Sequence, residues 1–362
     1  MITMFNELTK FLENILSMGV PSVDCIVYKD GKEVYRYMNG YSSLEEKIPV
    51  NGKERYNIYS CTKPITCSAA LKLWEEGKFG LDDDISDYLP EFKRMYVKTE
   101  TGVKETEKSI KIRDLFRMTA GLSYDVKSES IKRAISETNG RCPTRETIKY
   151  IAKEPLLFEP SQGWEYSLCH DVLAGLIEVV SDMKFSEYIQ KNVFEPLGME
   201  HSAFYVPDEE LYTLAEQYNY DSEEKRMVNC GKYIQDYKFG SEYESGGAGC
   251  ISTVDDYIKF VEALRKGDKI IKKETVAMLS TNQLNEVQAR SFTVDDYGYG
   301  LGVRCPISPE SENSDFGWGG AAGSCWCVDI KNGLTVFYAQ HVLNAPNTLT
   351  MPNIRKRILM EL

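Results

Sequence analysis

Histidine is scarce in this chain: 362 residues carry three, His170, His201 and His341. With no G-x-S-x-G anywhere, that leaves little room for a Ser-His-Asp machine, which needs an imidazole beside a serine on a strand-to-helix elbow. His170 reads as a polar helix-start residue, His201 as structural after the Pro-Leu-Gly-Met turn, and His341 equally as a rim residue at a strand end. H-E-x-x-H, G-x-G-x-x-G and a Walker-type loop are also missing, and Gly246 to Gly249 is not followed by a lysine. The metallopeptidase, dinucleotide-binding and P-loop classes are therefore set aside.

No C-x-x-C occurs among the ten cysteines, which read as reduced, small and mostly buried side chains. Cys325-Trp326-Cys327 puts two thiols on one strand face, but no second ligand pair accompanies it, so no metal and no cofactor is expected. The first residues, Met1 to Leu16, form an amphipathic helix broken by Glu7, Lys10 and Glu13 rather than a leader, and no stretch reaches a membrane span. A cytoplasmic location is the resulting expectation. The net charge of −12 argues against a nucleic-acid or anionic-membrane surface, and nothing in the sequence speaks to oligomeric state.

Hydrophobic residues make up 42% and charged residues 27%, the composition of an ordinary globular chain with a substantial core. Val23 to Tyr28 and Glu33 to Tyr41 alternate around Lys29-Asp30-Gly31-Lys32, a hairpin signal. A helix is predicted from about Ser60 to Glu76, capped by Gly77, and further helices at about 128–138, 144–153, 168–181, 184–193 and 253–266. Residues 95–108 read as a polar surface excursion and Tyr205 to Lys238 as irregular. Strand character returns at Gly300 to Cys305, Asp315 to Trp318, Ser324 to Ile330 and Leu334 to His341, before a last helix from Met351 to Met360. The expected fold class is α+β: an antiparallel sheet completed by both termini (about 1–80 and 285–362), flanked by helices, with a mainly helical part at about 81–284, all within one domain spanning 1–362.

Chemistry enters at Tyr59-Ser60-Cys61-Thr62-Lys63-Pro64. A serine opening a helix with a lysine three residues on sets hydroxyl and amine on one face, a nucleophile with a built-in proton carrier. The same S-x-x-K spacing recurs at Ser181 and Ser222, but only Ser60 follows a short extended segment and precedes an apolar helical run. Acyl transfer also needs a second proton carrier and an oxyanion hole. Candidates are Tyr166, before the helix that starts near Leu168, and the glycine-rich strand edge Gly317-Trp318-Gly319-Gly320-Ala321-Ala322-Gly323.

In that order, with Ile112 to Leu122, Leu173 to Glu178, Pro196 to Met199 and Gly246 to Gly249 between them, these pieces resemble the serine β-lactamase and penicillin-binding-protein superfamily. The resemblance is to its class C-like branch, nearest in motifs to family VIII carboxylesterases and related acyltransferases. It implies Ser60 as nucleophile, Lys63 and Tyr166 as the proton-transfer pair, and the N–H groups of Ser60 and Ala321 as oxyanion hole, with Trp318, Gly319, Gly320 and Leu168 facing substrate. Whether Lys63 or Tyr166 is the base stays open. Two departures from the penicillin-recognising pattern bear on substrate: Tyr166-Ser167-Leu168 lacks the asparagine of Tyr-x-Asn, and Trp318 replaces a cation that would pair with a substrate carboxylate. Both favour a small-molecule ester with a neutral, small or medium acyl group. The alternatives are a β-lactamase or D-amino-acid peptidase, or a non-catalytic sensor, on the same fold.

Overall fold

The computed structural model describes residues 5–232, 237–294, 296–347 and 350–362. An eight-stranded antiparallel sheet is built from the two ends of the chain: β1 (Ser22–Lys29), β2 (Lys32–Ser43), β3 (Ile48–Pro49), β4 (Tyr297–Tyr299), β5 (Arg304–Pro306), β6 (Asp315–Gly319), β7 (Cys325–Asp329) and β8 (Leu334–Ala339). Their spatial order is β4-β5-β6-β7-β8-β1-β2-β3, so the two ends of the chain meet where Ile26 of β1 lies opposite Phe337 of β8. The β1–β2 turn has Asp30 and Gly31 both at positive φ, 50° and 80°, the geometry that suits the twist of a two-residue hairpin.

Alternation along the central strands feeds two cores. Val23, Cys25 and Val27 of β1 and Leu334, Val336 and Tyr338 of β8 pack into an outer cluster, while Ile26, Phe337 and Ala339 point into the larger inner one. The helices that matter here are α1 (Asn6–Ser17), α2 (Thr62–Glu75), α3 (Cys169–Ser181), α4 (Val254–Lys266) and α5 (Thr350–Glu361). Leu8, Leu12 and Ile15 of α1 and Met351, Ile354 and Ile358 of α5 close the outer face. Opposite them α4 lies on the inner face, with Tyr257 stacked on Phe337 at 4.4 Å between ring centres. Both faces are covered, which is why β8 is buried from end to end.

A charged cluster ties α5 to the sheet. Arg355 sits 3.2 Å from Asp315 and 2.7 Å from Asp329, and Arg304 reaches Asp315 at 2.7 Å, with both carboxylates fully buried.

Three sequence expectations are corrected. Residues 205–232 are not irregular: they carry a 3₁₀ turn at Asp208–Thr213 and paired strands at Gln217–Asp221 and Arg226–Gly231, while 233–236 lie outside the described residues. Of the expected strand Gly300 to Cys305 only Arg304 and Cys305 are strand, in β5; residues 300–303 form the turn from β4, with Gly302 (φ 96°) so close to Cys67 that a Cβ would stand 2.4 Å from its sulfur. Helices at Lys273–Leu279 and Glu286–Ala289 were not foreseen. No helix among the described residues is long and apolar enough to cross a membrane.

Candidate active site

The chain reaches Ser60 from a two-residue strand, Tyr56–Asn57, paired with Ile251–Ser252. Tyr59 then takes a left-handed conformation (φ 45°), a single 3₁₀ turn covers Tyr59–Cys61, and α2 follows. A tyrosine at positive φ is strained, and it is held there by its ends: the Tyr59 hydroxyl donates to Gln217 Oε1 at 2.7 Å. The first three turns of α2 are buried almost without interruption, and the small residues Cys67, Ser68, Ala69 and Ala70 let other segments approach the helix closely. Gly77 (φ 71°) ends α2, its N–H donating to the Trp74 carbonyl.

Around Ser60 the structure brings together three of the residues singled out from sequence. The Tyr166 hydroxyl donates to Ser60 Oγ at 2.6 Å, and Lys63 Nζ donates to the same oxygen at 3.2 Å. Trp318 Nε1 donates to the Tyr166 oxygen at 3.4 Å, and the two rings stack at 5.8 Å between centres. Lys63 is wholly buried, with its ammonium 4.5 Å from the centre of the Tyr166 ring.

Other segments fix these groups. The loop carrying Tyr166 is sewn to residues 118–123 by Glu165 N–H to Met118 O, Leu168 N–H to Ser123 O and Ser161 N–H to Thr119 O, each 2.9 to 3.1 Å. That strip is in turn folded around Asp114, a buried carboxylate that accepts from Arg117, Thr119 and Ser161. At the other end of the chain, Gly320 packs against the Ile58 carbonyl, where a Cβ would stand 2.2 Å away. Gly319 and Ala321 are exposed beside it, and Gly320 N–H donates to the Ser324 carbonyl at 2.7 Å. Leu168 behaves differently: it is 5% exposed within the inner core, and none of the polar contacts at Ser60 involves it.

Tyr124, Asp171 and Gly247 also belong to the site and were not foreseen as site residues. Lys63 Nζ donates to the Gly247 carbonyl at 2.8 Å and to Tyr124 at 3.4 Å. Gly247 is wedged between Lys63 and Asp171, whose buried carboxylate accepts from Tyr243 at 2.8 Å and Ser245 at 2.7 Å. Burial raises the Asp171 carboxyl above its ordinary range, against the pull of Ser245, Lys63 and Tyr243. Burial likewise pushes the Tyr124 phenol well up. The small residues Gly246 to Gly249 thus serve close packing: a Cβ on Gly246 would stand 2.3 Å from the His170 carbonyl. The signal in sequence was the small-residue run itself, read without its partners.

Neither His170 nor His341 hydrogen-bonds to Ser60. His170 is buried beneath α2, 3.5 Å from Cys67 Sγ, and burial with the nearby Lys63 charge lowers it to about 3. His341 is no rim residue: it is 3% exposed, with Nε2 3.3 Å from Asn57 N–H and Nδ1 3.1 Å from the Ala215 carbonyl, a pattern that needs a neutral ring. Burial lowers it to about 4. Because the folded value lies below the unfolded one near 6.5, the unfolded chain binds the proton first, and stability present above that value is lost as pH falls towards 4. The difference in unfolding free energy between pH 7 and pH 5 is therefore expected to shrink by about 2 kcal/mol in His341→Gln, measured by urea titration. An unchanged difference would count against the neutral, buried ring. The described residues hold no cluster of three or more metal-ligating side chains.

Fold and site together define a serine hydrolase of the β-lactamase/transpeptidase type. The chain belongs to the beta-lactamase family, whose profile matches residues 8–355. Esterase EstB of Burkholderia gladioli is 26% identical over 338 residues, covering 86% of this chain and 83% of that protein. Among solved structures, EstCE1, described as a hydrolase with promiscuous acyltransferase activity, superposes with a TM-score of 0.81 at 23% identity, covering 98% of this chain and 99% of the other. A mutant of simvastatin synthase LovD from Aspergillus terreus gives 0.79 at 20% identity over 96% and 91%. These two likenesses establish the fold.

Proposed function

We propose that the protein cleaves neutral carboxylic esters of small or medium acyl groups through an acyl-Ser60 intermediate, passing the acyl group to water or to an alcohol or amine. The observation that carries this is the Ser60 hydroxyl oxygen lying 2.6 Å from Tyr166 and 3.2 Å from Lys63. Three acceptors surround Lys63 Nζ (Gly247 O, Ser60 Oγ and Tyr124 Oη), enough for the three N–H bonds of an ammonium, which supports Tyr166 as the base.

In the acylation half, Ser60 Oγ bonds to the ester carbonyl carbon and gives its proton to the Tyr166 oxygen. The carbonyl oxygen becomes an oxyanion held by the N–H groups of Ser60 and Ala321. Collapse breaks the bond to the alcohol oxygen, which leaves with the proton from Tyr166. In the second half the acceptor attacks the acyl carbon, Tyr166 takes the acceptor's proton, and Ser60 Oγ leaves and recovers it. Trp318 presents an indole where an anionic substrate would need a cation, which favours esters over β-lactams. The esterase EstB among its relatives supports the same choice.

A fluorophosphonate is expected to add once, on the peptide bearing Ser60, and not to Ser60→Ala. Turnover of p-nitrophenyl esters is expected to exceed that of nitrocefin by on the order of a hundredfold, the worth of one missing charged contact. Label elsewhere, with ester turnover unaffected by Ser60→Ala, would remove the acyl-Ser60 reading, and dominant nitrocefin turnover would replace the ester with a β-lactam.

A further inference from the structure

Three groups at the site each have an apolar neighbour one position along the chain, and those neighbours touch one another. Tyr59 precedes Ser60, Ala248 follows Gly247, whose carbonyl holds Lys63, and Ala322 follows Ala321. All three are buried and form a small cluster separate from both cores, with Tyr237 and Leu343 packed against it and only partly buried. The cluster is pinned in place: the Tyr59 hydroxyl donates to Gln217 at 2.7 Å, Val342 N–H donates to the Ala322 carbonyl at 3.0 Å, and Val342–Leu343 pairs with the strand Gln217–Asp221. From it a run of ring contacts leads back to the base, Tyr59 to Tyr237 at 5.9 Å and 81°, Tyr237 to Tyr124 at 5.6 Å and 51°, and Tyr124 to Tyr166 at 5.2 Å.

We propose that this cluster is the seat of the acyl group, that Tyr237 is its specificity-determining residue, and that the acyl groups it selects are flat and aromatic, of the benzoyl class. This rests on the acyl-Ser60 reading and names the acyl group within it. The alcohol leaves with the proton from Tyr166 and so departs on that side, while the carbonyl oxygen lies between the N–H groups of Ser60 and Ala321. The acyl substituent is left the side of Tyr59, Ala322 and Tyr237. Alanines at 248 and 322 give that side a floor without bulk, and the inclined rings of Tyr237 and Tyr124 give it a wall of aromatic faces and edges. A benzene ring meets such a wall in edge-to-face or offset contact, which adds to the area it buries; a cyclohexane ring of the same carbon count is thicker and has no quadrupole to match. An organic cation, the other guest that aromatic walls accept, is disfavoured, because the Lys63 ammonium already stands 5.2 Å from the centre of the Tyr124 ring.

The test compares p-nitrophenyl benzoate with p-nitrophenyl cyclohexanecarboxylate in the wild type, Y237L and Y237F. The ratio of the two kcat/KM values is read, so that the unequal intrinsic reactivities of the esters cancel between enzymes. Y237L keeps apolar bulk but loses the ring, and its benzoate preference is expected to fall about fivefold, whereas Y237F keeps the ring and is expected to stay within about twofold of the wild-type ratio. A ratio unmoved in Y237L, or lost equally in Y237F, overturns the proposal. A second pair varied on the other side of the ester, benzyl acetate and cyclohexylmethyl acetate, is expected to keep its ratio in Y237L; a fall there would hand the cluster to the alcohol and overturn the assignment. Should Y237L fail to fold, the wild type carries the test through inhibition by acetophenone and cyclohexyl methyl ketone, neutral ketones bearing the two acyl groups. Acetophenone is expected to bind about fivefold tighter, and equal or reversed binding overturns the proposal. Fluorophosphonate labelling of wild-type Ser60 separates the two levels: if Ser60 takes no label the acyl-enzyme reading fails, whereas a labelled Ser60 with an unmoved benzoate ratio removes the role of Tyr237 alone.

Discussion

Lys63→Met is expected to lower kcat/KM for p-nitrophenyl esters by about a thousandfold or more, with the chain still folded. The methionine stem fills most of the space of the lysine stem, so packing within α2 survives. What disappears is the cation that donates to Ser60 Oγ, and with it the charge over the Tyr166 ring and the donor to the Gly247 carbonyl. Lys63→Arg is expected to do little better. The ammonium lies in a wholly buried site bounded by Gly247 and two tyrosine rings, with no room for a planar guanidinium. Circular dichroism and the thermal midpoint would establish that the variants are folded, and steady-state kinetics would read the loss. A methionine variant within tenfold of wild type would mean that Tyr166 works without the charge.

Arg355→Met is expected to cost about 3–5 kcal/mol of stability, because it strips a counter-charge from carboxylates that water does not reach. Asp315 and Asp329 are both fully buried beside it. Burial works against the Asp329 charge, yet the bonds from Asn332, Arg355 and Ser314 hold its carboxyl below the ordinary range. A carboxyl lowered on folding adds stability that is complete above its unfolded value and lost as pH falls through its folded value. Without Arg355 that loss is expected to begin at higher pH, so the variant's deficit should show in urea midpoints at pH 7 and its acid unfolding should come earlier. Arg226→Met is the contrast. Its pair with Glu224 has both side chains more than half exposed, and its removal is expected to leave the urea midpoint essentially unchanged. Equal effects from the two variants would rule out burial as the source of the difference.

Much of this was legible in the sequence wherever local chemistry decides the outcome. Asp30-Gly31 and Asn332-Gly333 mark hairpins because few other pairs tolerate the backbone they need, and α2, α3 and α4 begin and end within a few residues of where their apolar periodicity and caps put them. Ser60, Lys63, Tyr166 and Trp318 could be singled out because their motifs are short and ordered along the chain. Contacts between distant segments were not legible. Nothing local says that Tyr124 reaches Lys63 across 61 positions, or that Asp171 supports the same lysine through Gly247. The strands at 217–221 and 226–231 are polar, with Asn219, Asp221, Arg226 and Asn229 interrupting any alternation, so they depend on pairing that a single segment does not advertise. The first four residues of Gly300 to Cys305 failed for the opposite reason: they look like the start of a strand, but Gly302, packed on Cys67, turns the chain before Arg304 and Cys305 enter β5.

The packing of Gly320 against the Ile58 carbonyl has a consequence for how the protein comes into being on the ribosome. The turn that presents Ser60 is braced by residues that leave the exit tunnel more than two hundred and fifty positions later, and β1 waits more than three hundred for β8. Until then the Ser60 turn has neither Gly320 against Ile58 nor Trp318 beside Tyr166. Such long-range closure makes folding slow and leaves the unpaired edge of β1 exposed in the meantime. Nascent chains stalled before residue 315 should therefore carry an unreactive Ser60 and a sticky half-sheet, and the enzyme is born only when its last strands arrive.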